Sequence, residues 1–223
     1  MSIKSALEQA IIKLQKEEIV SAKLDAELIL AKLLSKNREW LIAHDNDKLS
    51  DKELGDFNRL IVRRLKHEPV GYINQTIEFY GMDFFIDQRV LSPRVETELI
   101  VDEVIKKAPK NASLIDIGTG SGAIAVAIAK NRPDLKITAT EVSPEALEVA
   151  KINAEKLLGH NHLIDFKLSD IWEKIDESFD VVVQFSLGKS GKEIRHGKYL
   201  VRKGKSRLCS LYFICPRAPQ CPY

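Results

Sequence analysis

The sequence predicts an α/β fold, a parallel sheet clothed by helices, with a helical bundle in front of it. Three observations carry that prediction. From residue 113 onward, short apolar runs at 113–117, 136–141, 163–168 and 179–183 alternate with helical patterns, and strands that alternate with helices pair in parallel through right-handed crossovers. The first such run leads straight into Gly118-Thr119-Gly120-Ser121-Gly122, a turn that opens a helix. Residues 3–66, by contrast, place their apolar side chains at three- and four-residue steps with no period of two, the mark of amphipathic helices.

The elements follow in order. Ala6, Leu7, Ala10, Ile11 and Leu14 form the stripe of a first helix, and Leu24, Leu28, Ala31 and Leu34 repeat it. Ser50-Asp51-Lys52-Glu53 reads as a capping box starting a third helix with Leu54, Phe57, Leu60, Ile61 and Leu65. The bundle is expected to end near Pro69. Residues 77–86 set Gly81 between two aromatic, β-prone runs, a hairpin pattern. Ser92-Pro93 is expected to open a helix through Glu96, Leu99, Ile100 and Val104. Ser143-Pro144 opens another, with Leu147, Ala150, Ala154 and Leu157 on one side and Gly159 at its end.

Composition narrows the function classes. With 44% hydrophobic and 30% charged residues the 223-residue chain has the make-up of a soluble globular protein. Its longest unbroken apolar run, 123–129, is far short of a membrane span. The first ten residues lack the apolar centre of a signal peptide, so a cytoplasmic location is expected. The net charge of +2 is uneven: residues 184–223 hold nine Lys or Arg against one acid, Glu193, which leaves −6 for residues 1–183. Cys209, Cys215 and Cys221 also fall in that last stretch. They lack the paired spacing of zinc ligands.

The glycine turn is the first chemical feature. Three glycines at alternate positions permit positive φ and let a ligand lie on bare backbone, while the helix behind them offers unpaired N–H groups. Glu141, at the end of the second strand, is placed to accept hydrogen bonds from a ribose diol. Together they point to an adenosine-containing cofactor. A dinucleotide motif has its third glycine one residue later, and no basic residue stands here for phosphates. Asp116, before the turn, would repel phosphates but suits the ammonium and sulfonium groups of S-adenosylmethionine.

Several segments in this order carry a family resemblance: Val70-Gly71-Tyr72-Ile73, Glu78-Phe79-Tyr80-Gly81, Ser92-Pro93-Arg94-Val95-Glu96-Thr97-Glu98, Asp116 to Ala125, Ser143-Pro144-Glu145 and Phe179 to Val183. Over residues 1–183 the chain resembles the PrmC/HemK family, the release-factor glutamine methyltransferases. That resemblance implies a helical substrate-recognition domain (1–69), a β-hairpin linker (70–91) and a Rossmann-like S-adenosylmethionine-dependent methyltransferase domain (92–183) with an incomplete sheet. It assigns Gly118, Thr119, Gly120, Ser121, Gly122, Glu141, Asp170 and Ile171 to the cofactor, with Arg94, Glu96 and Asp116 as further candidates. It implies a release factor as protein substrate, with no metal, no membrane, no nucleic acid and a monomeric state. An adenine-directed nucleic-acid methyltransferase and a non-catalytic binding protein are the alternatives.

The family's fourth strand ends in Ser-Asn-Pro-Pro-Tyr, whose acceptors hold the target amide. Here Gln184, Phe185, Ser186, Leu187 and Gly188 follow Val183. Phe185 offers no acceptor, and Gln184 is one residue early in a strand and so points to the other face. The lost motif, the reversed charge and the first cysteines coincide at one point. Residues 184–223 are therefore expected to be a poorly packed basic tail, as a shift of reading frame would produce.

Overall fold

A computed structural model describes residues 1–170 and 177–184, which fall into two compact units divided between Thr76 and Ile77. In the first unit, α1 (Ile3–Lys16), α2 (Ala22–Leu33), α3 (Arg38–Ala43), α4 (Asp51–Leu65) and α5 (Val70–Asn74) enclose a core of Leu14, Ile29, Leu30, Leu41, Phe57 and Ile61. The capping box of α4 forms as the sequence dictates: the Ser50 hydroxyl accepts the Glu53 N–H, and the Glu53 carboxylate accepts the Ser50 N–H. The Ser50 hydroxyl and N–H, both donating to the Glu53 carboxylate, hold that carboxyl below its usual range.

Two expectations for this unit are corrected. The buried side of α2 is Ala22, Ala26, Ile29 and Leu30, while Leu24 and Leu28 are exposed. The reason is ionic: Asp25 and Glu27 are also buried on α2, paired with Arg64 and Arg38, so charge sits where an apolar stripe was sought. Residues 70–74, taken as the start of a linker, form α5 and bury Ile73 in the helical core.

The second unit opens with a hairpin, β1 (Ile77–Phe79) and β2 (Met82–Phe84), turning at Tyr80 and Gly81, both at positive φ. Two positive φ values in a two-residue loop give the turn whose twist matches antiparallel strands. Phe79 and Phe84 meet edge to face and lie in the core of this unit, so the hairpin is a packed part of it, not a linker. The helix expected from Ser92 starts later. A 3-10 turn at Val95–Thr97 leads into α6 (Glu98–Lys107). Glu98 accepts the Tyr80 N–H at 2.7 Å, tying that helix start to the hairpin turn.

The sheet contains β3 (Ser113–Ile117), β4 (Lys136–Glu141), β5 (Asp165–Leu168) and β6 (Val181–Gln184) in the order β5-β4-β3-β6, all parallel. Helices α7 (Ala123–Asn131) and α8 (Pro144–Leu158) make the crossovers. Buried Leu114, Ile115 and Ile117 on β3 make it the apolar centre. Asp180 fixes the start of β6 by accepting both the N–H and the hydroxyl of Ser113, each at 2.9 Å. Ile117 pairs with Gln184, so β6 ends level with the residue before the glycine turn. None of the described helices is long and apolar enough to cross a membrane.

Candidate functional site

The site lies beyond the carboxyl ends of β3 and β4, where open α/β sheets hold ligands. Gly118, Gly120 and Gly122 all take positive φ, at 72°, 55° and 79°. At Gly122 a second constraint applies, because an added Cβ would sit 3.1–3.3 Å from Ala150 of α8, including its backbone. At Gly120 the same atom would meet nothing within 4 Å, which leaves the loop's backbone bare on that side. The N–H groups of Gly118 and Thr119 both bond the Thr140 carbonyl, seating the loop on β4.

Glu141 does more than wait for a ligand. One carboxylate oxygen accepts the Gly120 N–H at 3.0 Å, and the other accepts the N–H groups of Val142 (2.9 Å) and Ser143 (3.2 Å). The carboxylate therefore ties the glycine loop to the start of α8. Its Gly120-bonded oxygen keeps acceptor capacity, since a carboxylate offers about four lone-pair positions. A ribose hydroxyl fits that capacity.

Asp116 lies beneath the loop, fully buried at 1% exposure. Its Oδ2 accepts the Thr119 hydroxyl at 2.7 Å, while Oδ1 has no hydrogen-bond partner. Burial pushes this carboxyl up to about 6; the Thr119 hydroxyl and the Ala125 N–H pull the other way, and Glu141 adds a smaller push upward. Such a shift arises because a low-dielectric setting disfavours the charged form.

A cavity of about 270 Å³ opens over the loop. Gly118 to Ser121 and Glu141 form one side, and residues 89–94 with Thr97 form the other. Arg94 is exposed on that wall, whereas Glu96 is exposed and does not line the cavity. Arg89, also on the wall, forks onto Asp87 and holds that carboxyl below its usual range. Asp170 is exposed past the end of β5, away from the cavity lining, next to Ser169, whose N–H bonds the Glu141 carbonyl. Ile171 and the positions Phe185, Ser186, Leu187 and Gly188 lie outside the described residues.

Sequence reasoning missed Asn153. This fully buried side chain accepts the Phe85 N–H (2.7 Å) and donates to the carbonyls of Phe85 (2.9 Å) and Ser121 (2.8 Å). It thereby joins the glycine loop to the segment that becomes the cavity's far wall. A polar residue on the apolar side of a helix, one place before Ala154, was the available signal. The wall residues 89–91 gave none, having no periodicity to mark them.

The comparisons agree with this architecture. The PrmC N-terminal domain family matches residues 5–74, and the methyltransferase small domain family matches 95–208. The second match runs past Val183, the last residue of the resemblance described above. A release factor glutamine methyltransferase of Koribacter versatilis is 37% identical over 187 residues, covering 82% of this chain and 66% of its own length. One from Streptococcus pneumoniae is 47% identical over 146 residues, covering 65% of this chain and 51% of that protein. A bifunctional methyltransferase of Rickettsia typhi is 34% identical over 205 residues, covering 82% of this chain and 39% of its own. The chain thus spans about two thirds or less of the length of these relatives. Its two units, its glycine loop and these matches agree: the chain belongs to the PrmC/HemK family of methyltransferases.

Proposed function

We propose that this chain binds S-adenosylmethionine over residues 118–122. We further propose that its reaction by descent is methyl transfer to the side-chain amide of the glutamine in the Gly-Gly-Gln loop of a peptide chain release factor. The observation that carries the cofactor reading is the cavity with Glu141 and the positive-φ Gly118 and Gly120 on one side. The relatives named release factor glutamine methyltransferase support the acceptor.

When bound, the cofactor supplies a methyl group activated by its sulfonium. The chain's own residues supply placement. Glu141 holds the sugar, the loop backbone and the first turn of α7 line the remainder, and residues 89–94 shield it from water. An amide nitrogen shares its lone pair with its carbonyl, so its two N–H bonds need fixed acceptors before that pair can be aimed at the methyl group. Phe185 occupies the position of the family's Asn and provides no acceptor. Binding is therefore retained and turnover lost.

The experiment is a titration with S-adenosylmethionine followed by methyl transfer assayed with a release factor and, separately, with DNA. Binding without turnover is the expected result. The fourfold change Phe185→Asn, Ser186→Pro, Leu187→Pro, Gly188→Tyr should then restore transfer to the release factor. Absence of binding would refute the cofactor reading, and methylation of DNA would favour a nucleic-acid enzyme.

A further inference from the structure

Asp116 is fully buried, one of its oxygens has no hydrogen-bond partner, and the other accepts the Thr119 hydroxyl. The charged groups around it do not neutralise it. From β4, Thr140 offers its hydroxyl to the Asp116 carbonyl at 3.5 Å, and Glu141 brings a second negative charge. From β6, Val183 stands in register and is apolar. On α7 the charged side chain is Lys130, at the helix's far end. On the cavity wall Arg89 is engaged by Asp87, and Arg94 is exposed. Among the described residues no histidine lines the cavity.

Resting on the cofactor reading above, we propose that Asp116 senses the ligand's charge. It gives up a proton to solvent when a cationic ligand settles on residues 118–122, and it keeps that proton when the ligand lacks the extra positive charge. The step is a simple ionisation: the O–H bond of the carboxylic acid breaks, and the proton leaves to buffer. S-adenosylmethionine carries a sulfonium that S-adenosylhomocysteine lacks, so the site prefers the methyl donor and relaxes its hold on the by-product. The preference is built from desolvation, because a unit charge acts far more strongly across a dry interior than across water. Asp116 acts across the loop, not by touching the ligand, and is a specificity-determining residue in that sense.

Calorimetry tests this in the full chain, with both ligands measured in two buffers of different ionisation heat. At about pH 6, binding S-adenosylmethionine should release on the order of half a proton, and S-adenosylhomocysteine distinctly less. The affinity ratio of donor to by-product should fall roughly tenfold from about pH 7 to about pH 5. Asp116→Asn should abolish both effects. Thr119→Val removes the hydroxyl that steadies the ionised form and should move the midpoint of proton release upward. Equal proton release for the two ligands, or a midpoint unmoved in Thr119→Val, overturns the inference while leaving the cofactor site standing. No binding of either ligand overturns the cofactor reading itself, and this inference with it.

Discussion

Asp25 in the helical unit and Asp116 in the sheet unit are both carboxylates removed from water, at 5% and 1% exposure, yet their surroundings are opposite. Asp25 receives the Arg64 guanidinium at 2.7 Å and the Ser21 hydroxyl at 2.8 Å. It is a closed pair: the opposite charge offsets the cost of burial, and nothing remains for a ligand. Asp116 has no cation beside it among the described residues, only the Thr119 hydroxyl, the Ala125 N–H, an oxygen without a hydrogen-bond partner and a neighbouring carboxylate. A buried charge left open in this way destabilises the fold unless something else completes it, which is why shifted groups gather at functional sites. The first acid serves the fold and the second serves the site.

The sharpest way to break this comparison is to open the closed pair. Arg64→Ala should cost about 3–5 kcal/mol, because it strands the Asp25 charge in the core. The double change Asp25→Leu with Arg64→Met should be near neutral, since both desolvated charges leave together. Urea unfolding of the three chains measures both. The next largest effect is the pH response of Asp116. Its folded-state value of about 6 lies above its ordinary 3.8, so the folded chain binds the proton more tightly. That contribution is fully present below about 3.8 and is lost as pH rises through about 6. Stability should fall by at most about 3 kcal/mol across that window, and Asp116→Asn should flatten the fall. A smaller effect, about 2 kcal/mol, is expected for Gly122→Ala, which forces a side chain into positive φ and against Ala150. Thermal melts should show the loss, and cofactor affinity should drop with it.

The same contrast governs what could be read in advance. Strands at 113–117 and 136–141 and the helix from Pro144 stand at the residues expected, because apolar runs bounded by Gly and Pro leave little choice of period. The glycine loop was legible for the same reason: three alternate glycines have few uses. Residues whose role depends on a distant partner were not. Leu24 and Leu28 looked like a core stripe because Asp25 and Glu27 do not look buried until Arg64, 39 positions on from Asp25, and Arg38 come alongside. Asn153 bonds Phe85 across 68 positions, and no local pattern announces that. The later start of α6 follows from Glu98 reaching back to Tyr80, an attraction that overrides the Ser-Pro signal at 92–93. Sequence pattern reports periodicity well and pairing poorly.

The finest distinction between the two acids lies in their hydroxyl partners, and the effect expected is the smallest. Ser21 and Thr119 each donate to a buried carboxylate, at 2.8 Å and 2.7 Å. Ser21→Ala removes one of two partners and leaves Arg64 in place, so about 0.5–1 kcal/mol should be lost. Thr119→Val keeps the side chain's volume and removes the only hydroxyl Asp116 has. Its cost at neutral pH should be about 1–2 kcal/mol, because a hydrogen bond to a charged group is worth more than one between neutral partners. Since that bond favours the ionised form, its loss should also carry the pH-dependent fall in stability to higher pH. Melting curves collected across the acid range for the two single variants decide it. If the Thr119→Val curve keeps the parent's shape, Asp116 is as closed a group as Asp25, and the contrast between the two units fails.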